Sequence, residues 1–112
     1  MAQELYFISV ASEMLGMHPQ TLRKYERLGL VQPSRMNGSV RLYSRDEIAR
    51  LRLIKHLVDE LGINLAGVQR LLSIADVIQR IRPLMRDEGL STRNVRRLAQ
   101  ELDGLARMLG FD

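Results

Sequence analysis

The stretch from Gly16 to Tyr43, GMHPQTLRKYERLGLVQPSRMNGSVRLY, constrains this 112-residue chain more than any other. Its punctuation sets a tight turn, a short cationic helix and a hairpin in one order. Pro19 suits the first helical position, where its missing N–H is no loss and its fixed φ is already helical. Gly29 suits the residue just past the helix end, where a left-handed backbone is wanted. At about 100° per residue, Leu22, Tyr25 and Gly29 share one side, and Gln20, Lys24 and Arg27 the other, with Arg23 and Thr21 at its edges. One side can pack. The other offers amide, hydroxyl and cationic groups and no exposed carboxylate.

A charged face alone means only a solvated helix, so the neighbouring residues decide. Ser9 to Leu15 reads as a preceding helix, and Gly16 supplies the short turn of a helix-turn-helix. The second helix of that motif lies in the DNA major groove with its first residues at base edges. Here those residues are His18, Gln20 and Thr21. Gln can bond an adenine edge through two hydrogen bonds, and Thr can donate, accept or touch a thymine methyl. His18 is either a helix cap or a base contact. Arg23, Lys24 and Arg27 suit phosphates, which position a protein and carry no sequence information.

The charge distribution agrees. Residues 1–56 hold nine Lys/Arg and five Asp/Glu, a balance of 9 − 5 = +4, while residues 57–112 hold eight of each, 8 − 8 = 0. All the excess positive charge therefore lies in the half with the helix-turn-helix, as a polyanion partner requires. A membrane surface fits less well, because no long basic helix carries a bulky apolar face. No signal-like N-terminus or bilayer-length apolar run occurs. The absence of cysteine excludes disulfides and thiolate metal sites and fits a cytosolic protein.

Around this stretch the chain reads as follows. Leu5 to Ile8 is a short strand or extended lead-in. Asn37-Gly38 predicts a two-residue hairpin turn with arms Ser34–Met36 and Ser39–Tyr43. Arg35, Asn37 and Arg41 then belong to a small wing, which either caps the core or reaches a phosphate or the minor groove. Ser44 and Glu47 form a capping box. The box opens a helix whose core stripe is Ile48, Leu51, Ile54, Leu57, Val58 and Leu61, closed by Gly62. Asn64 caps the next helix, with Leu65, Val68, Leu71, Leu72 and Ala75 as core. The exposed N–H groups there could take a phosphate or stay solvated. Pro83 is expected to end or kink this helix, with a break at Asp87-Glu88-Gly89 and a cap for the last helix at Ser91 or Thr92. In that helix Val95, Leu98, Leu102, Leu105 and Leu109 recur at spacings of 3, 4, 3 and 4, the seam of a heptad. So short a helix is marginal alone in water, and it docks either on its own domain or on a second chain.

Together, Ile8-Ser9-Val10-Ala11, Thr21-Leu22-Arg23-Lys24-Tyr25-Glu26, Gly29-Leu30 and Arg41-Leu42-Tyr43-Ser44 resemble the MerR family of bacterial transcription regulators over about residues 6–72. The string GMHPQTLRKYERLGLV with Gly62-Ile63-Asn64-Leu65-Ala66-Gly67 is similar to the heat-shock repressor branch of that family. The resemblance implies a mainly α fold: a winged helix-turn-helix domain with a β-hairpin wing over residues 1–73, then a helical dimerisation or effector segment over 74–112. It implies a homodimer, paired antiparallel across a two-fold axis, on an inverted repeat in double-stranded DNA. By similarity, Arg23 and Tyr25 lie on the DNA backbone, Arg41 acts from the wing, and Tyr43 holds the wing against the domain. For the heat-shock branch it implies repression of chaperone genes, with the chaperone DnaK as co-repressor.

No catalytic set, Gly-rich phosphate loop or cofactor motif is found. His18 and His56 lack neighbours at metal-ligand spacing, and the adjacent Asp87 and Glu88 diverge on a helix. The chain reads as a binding protein and not an enzyme. Two other readings are an excisionase-like architectural DNA-binding factor, with the Val95–Leu109 seam folded onto its own domain, and a chaperone-interaction module whose basic half is incidental.

Overall fold

In a computed structural model, residues 4–36, 38–86 and 91–110 are described. The elements are β1 (Leu5–Phe7), α1 (Ile8–Leu15), α2 (Pro19–Arg27), β2 (Ser34–Met36), β3 (Val40–Ser44), α3 (Arg45–Lys55), a π turn (His56–Glu60), α4 (Leu65–Arg86) and α5 (Thr92–Met108). The fold is mainly α, a winged helix-turn-helix with C-terminal helices. It forms two compact units, Met1–Val68 and Gln69–Asp112, and the division falls inside α4.

In the first unit β3 is central in an antiparallel sheet of order β1-β3-β2. β1 pairs Tyr6 with Tyr43, and β2 pairs Arg35 with Arg41 and Met36 with Val40. β3 begins at Val40, so Ser39 lies before the strand, where the sequence placed it on the second arm of the hairpin. The Arg35 guanidinium donates to the Ser39 carbonyl at 3.4 Å. Gly38 takes a φ of +79°, which glycine adopts without strain. Asn37, its proposed turn partner and DNA contact, lies outside the described residues.

The core of this unit is Ala11, Leu15, Leu22, Tyr25, Leu30, Val31, Tyr43, Ile48, Leu51, Ile54, Leu57 and Val68. Both halves of the capping box form: the Glu47 amide donates to Ser44 Oγ at 3.2 Å, and the Ser44 amide to Glu47 Oε1 at 2.7 Å. The expected core stripe of α3 ends early. At the π turn the Leu61 amide reaches back five residues to the His56 carbonyl, at 3.1 Å. The widened turn changes the phase of the face, so Leu61 is exposed and Val58 only half-buried. Leu71 on α4 is likewise exposed, in contrast to the core role its spacing suggested, while Val68 and Leu72 are buried. Asn64 caps α4, accepting from the Gly67 amide at 2.9 Å. A Cβ on Gly67 would lie 2.7 Å from Ile63 Cγ2, so the packing of Ile63 over this first turn requires glycine.

In the second unit α4 does not end at Pro83 but runs to Arg86. Proline lacks the N–H that would bond the Gln79 carbonyl, so the helix continues through Pro83 with one bond fewer, while the fixed φ of the ring is itself helical. The expected break at 87–89 lies outside the described residues. Ser91 caps α5, accepting from the Asn94 amide at 3.2 Å. The buried Asn94 side chain donates to the Leu84 carbonyl at 3.2 Å, and Arg80 Nε donates to Glu101 Oε2 at 2.9 Å, so polar contacts tie α5 to α4. Val95, Leu102 and Leu109, seven residues apart, are 49, 53 and 54 % exposed. Leu98 and Leu105 between them are half-buried.

Candidate nucleic-acid interface

The reader helix α2 is held at both ends. At its start His18 adopts an extended backbone, and its Nδ1 accepts from the Gln20 amide at 3.1 Å, with Pro19 next in line. His18 is therefore a helix cap, and its side chain is exposed. At the far end the Leu30 amide bonds the Tyr25 carbonyl and the Gly29 amide the Glu26 carbonyl, both at 2.9 Å. With Gly29 at φ +75° this is a Schellman motif. Leu22 and Tyr25 fasten the inner face.

Two cations of α3 brace the motif. Lys55 Nζ donates to the Leu15 carbonyl at 2.7 Å, across the turn between α1 and α2, and Arg50 Nε donates to the Leu30 carbonyl at 2.6 Å. Gly16, in that turn, takes a φ of +63°. A positive group at the C-terminal end of α1 also meets the negative end of the helix dipole.

The outward face carries Gln20, Lys24 and Arg27 exposed, with Thr21 and Arg23 half-buried at its edges. Among the described residues Arg23, Lys24 and Arg27 have no ion-pair partner. The wing is different. Arg35 on β2 and Arg41 on β3 both donate to the carboxylate of Glu26 on α2, Arg35 through Nη2 and Arg41 through Nε. Burial pushes the Glu26 carboxyl up, but the two guanidiniums outweigh it and hold its pKa below the ordinary value. Tyr43 lies on the same face of β3 as Arg41 and has no accessible surface. Burial, and then the Glu26 carboxylate, push its phenol pKa up, and its hydroxyl has no hydrogen-bond partner among the described residues.

The residues proposed from sequence thus fall into distinct settings. Gln20, Lys24 and Arg27 stand on one exposed helix face, His18 is exposed at its N-cap, and Arg35 and Arg41 share a rung of the wing. Tyr25, 6 % exposed, offers DNA only a small part of its surface, and the fully buried Tyr43 can act on DNA only through packing. Asn64 is exposed at the start of α4 and uses its side chain as the cap. Sequence reasoning missed Glu26 and Lys55. Both sit four residues after a buried leucine, Leu22 and Leu51, hence about 40° from it on the packed side of the helix. A charge placed there needs a partner, and that was the available signal. Among the described residues no group of three His, Asp or Glu side chains could hold a metal ion, and no helix is long and apolar enough to cross a membrane.

A cationic helix beside a β-hairpin wing defines a winged helix-turn-helix protein. Residues 6–74 match the MerR HTH family of regulatory proteins, and the chain belongs to that family. It is 47 % identical over 74 residues to the putative heat shock protein HspR of Streptomyces coelicolor, covering 66 % of this chain and 49 % of that one. It is 32 % identical over 104 residues to the mercuric resistance operon regulatory protein of Bacillus cereus, covering 91 % of this chain and 78 % of the relative. To the regulator GlnR of Bacillus anthracis it is 34 % identical over 68 residues, 61 % of this chain and 52 % of that one. The chain thus spans about half the length of the HspR and GlnR relatives. Its fold is shared with the crystal structure of HiNmlR, described as a MerR family regulator lacking the sensor domain and bound to promoter DNA. The TM-score is 0.60 at 23 % identity, over 96 % of this chain and 92 % of that one.

Proposed function

We propose that this protein is a sequence-specific transcription repressor that binds an inverted repeat in double-stranded DNA as a homodimer. The observation that carries the reading is the α2 face: three cations without ion-pair partners among the described residues, beside an exposed amide, on a helix fixed at both ends. Lys24, Arg27 and Arg23 take phosphates, Gln20 and Thr21 read base edges, and the wing arginines reach the adjoining backbone. The exposed Val95, Leu102 and Leu109 stripe supports the dimer, because a row of half-exposed apolar residues at heptad spacing is stable when a second helix covers it. The likeness to the putative heat shock protein HspR supports heat-shock genes as the regulated class; chaperone genes as the targets and the chaperone DnaK as co-repressor are part of the proposal.

Selection from random duplexes, followed by a salt titration of the selected site, tests this. A two-fold symmetric consensus is expected, with a log–log salt slope on the order of −6 for three to four phosphates per protomer. An asymmetric consensus, or binding insensitive to salt, would reject it. Added DnaK should tighten operator binding; no change would remove it as co-repressor and leave the DNA reading standing.

A further inference from the structure

Arg35 and Arg41 are cross-strand partners on one rung of the wing. Like charges directly opposite on a sheet repel, so this rung needs an anion between its two guanidiniums. Glu26 supplies it from the neighbouring helix, one carboxylate oxygen to each arginine. Side-chain exposure orders the three groups: Glu26 at 18 %, Arg41 at 24 % and Arg35 at 36 %. Arg41 engages Glu26 through Nε, and Arg35 engages Glu26 and Ser39 through its two terminal nitrogens. A guanidinium has five N–H donors in a fixed fork, so donors remain on both arginines after these bonds. Two cations and one carboxylate leave a single net positive charge, which matches one phosphodiester.

We infer that Glu26 is a positioning residue for DNA binding: it locks the wing to the reader helix and presents Arg35 and Arg41 as one seat for a backbone phosphate. This rests on the DNA-binding reading and deepens it. The position of that phosphate relative to α2 sets where Gln20 and Thr21 meet the bases, so a carboxylate that touches no DNA governs sequence discrimination. Fixed donor geometry of this kind is lost when its supporting shell loosens by about an ångström.

The opposing account is that Glu26 only competes with phosphates for the two arginines. The accounts differ in sign. Glu26→Gln makes the surface one charge more positive, so competition predicts tighter binding to every DNA. Positioning predicts about tenfold weaker binding to the duplex selected by the wild type, with equal or tighter binding to a random duplex of the same length. Glu26→Asp keeps the charge and shortens the reach by one methylene, and it should also lose about tenfold on the selected duplex and nothing on the random one. Fluorescence anisotropy on both duplexes at 0.15 M salt reads this, with circular dichroism at the assay temperature to confirm folding. If Glu26→Gln does not fold, Glu26→Asp decides alone. Arg41→Lys, which keeps Glu26 and the charge but removes the fork, should lose a similar factor on the selected duplex. Variants that bind the selected duplex as tightly as the wild type, or tighter, overturn the role of Glu26. A wild-type protein that selects no sequence overturns the DNA reading itself.

Discussion

Lys55 and Gly16 should be energetically coupled, because the ammonium that braces the helix-turn-helix sits against the glycine of its turn. Lys55 Nζ lies 2.7 Å from the Leu15 carbonyl. It also lies 3.1 Å from where a Cβ on Gly16 would be, at a backbone φ of +63°. Lys55→Ala removes a charge-assisted bond from a half-buried setting and leaves the carbonyl at the end of α1 without it, a loss of about 2 kcal/mol. Gly16→Ala costs about 1 kcal/mol for its left-handed backbone. It also pushes Nζ away by a few tenths of an ångström and so weakens the same bond. The double variant should therefore be less destabilised than the sum of the singles, by about 0.5–1 kcal/mol. Urea denaturation followed by circular dichroism, with an unchanged slope across the four proteins, gives the cycle. Additivity within about 0.3 kcal/mol would refute the contact and with it the brace.

Further outcomes follow from the interface. Arg23→Ala should weaken binding to selected and random DNA alike, whereas Gln20→Ala should weaken the selected duplex by about tenfold and leave random DNA unchanged; equal losses on both for Gln20→Ala would end that division of labour. Tyr43→Phe should leave stability unchanged or raise it, because the buried hydroxyl has no partner to lose; a clear drop in the urea midpoint would mean the hydroxyl is bonded. Glu26 has a lowered pKa in the fold, so its contribution is present above the ordinary carboxylate range and lost as the pH falls through the folded value. The stability difference between wild type and Glu26→Gln should accordingly shrink as the pH is lowered through and below the ordinary carboxylate range, and a constant difference would contradict the ion pairs.

Local signals carried most of the fold because they are chemical and short-range. Pro19, Gly29, the Ser44–Glu47 box and Asn64 each act within four residues, and each forms the end that its residue type favours. What sequence left unread is non-local or a matter of degree. The bond from Lys55 to Leu15 spans 40 residues, and the Arg41–Glu26 pair spans 15. Neither spacing has a signature of its own. The π turn was invisible because apolar residues continue at helical spacing through it, and only the change of phase exposes Leu61. Pro83 misled in the opposite direction: α4 runs through it to Arg86, so a strong breaker did not end the helix. On the reader face, Gln20, Lys24 and Arg27 were legible from the wheel, whereas the burial of Tyr25 and Tyr43 depends on sheet and helix meeting.

The central claim is best tested by sedimentation of the protein alone and with a short duplex carrying the selected inverted repeat. The account predicts a dimer that takes up one duplex, and a Leu102→Arg variant that sediments as a monomer and loses the duplex. A monomer that loads DNA without a stoichiometric limit, in wild type and variant alike, would contradict it and favour the architectural reading.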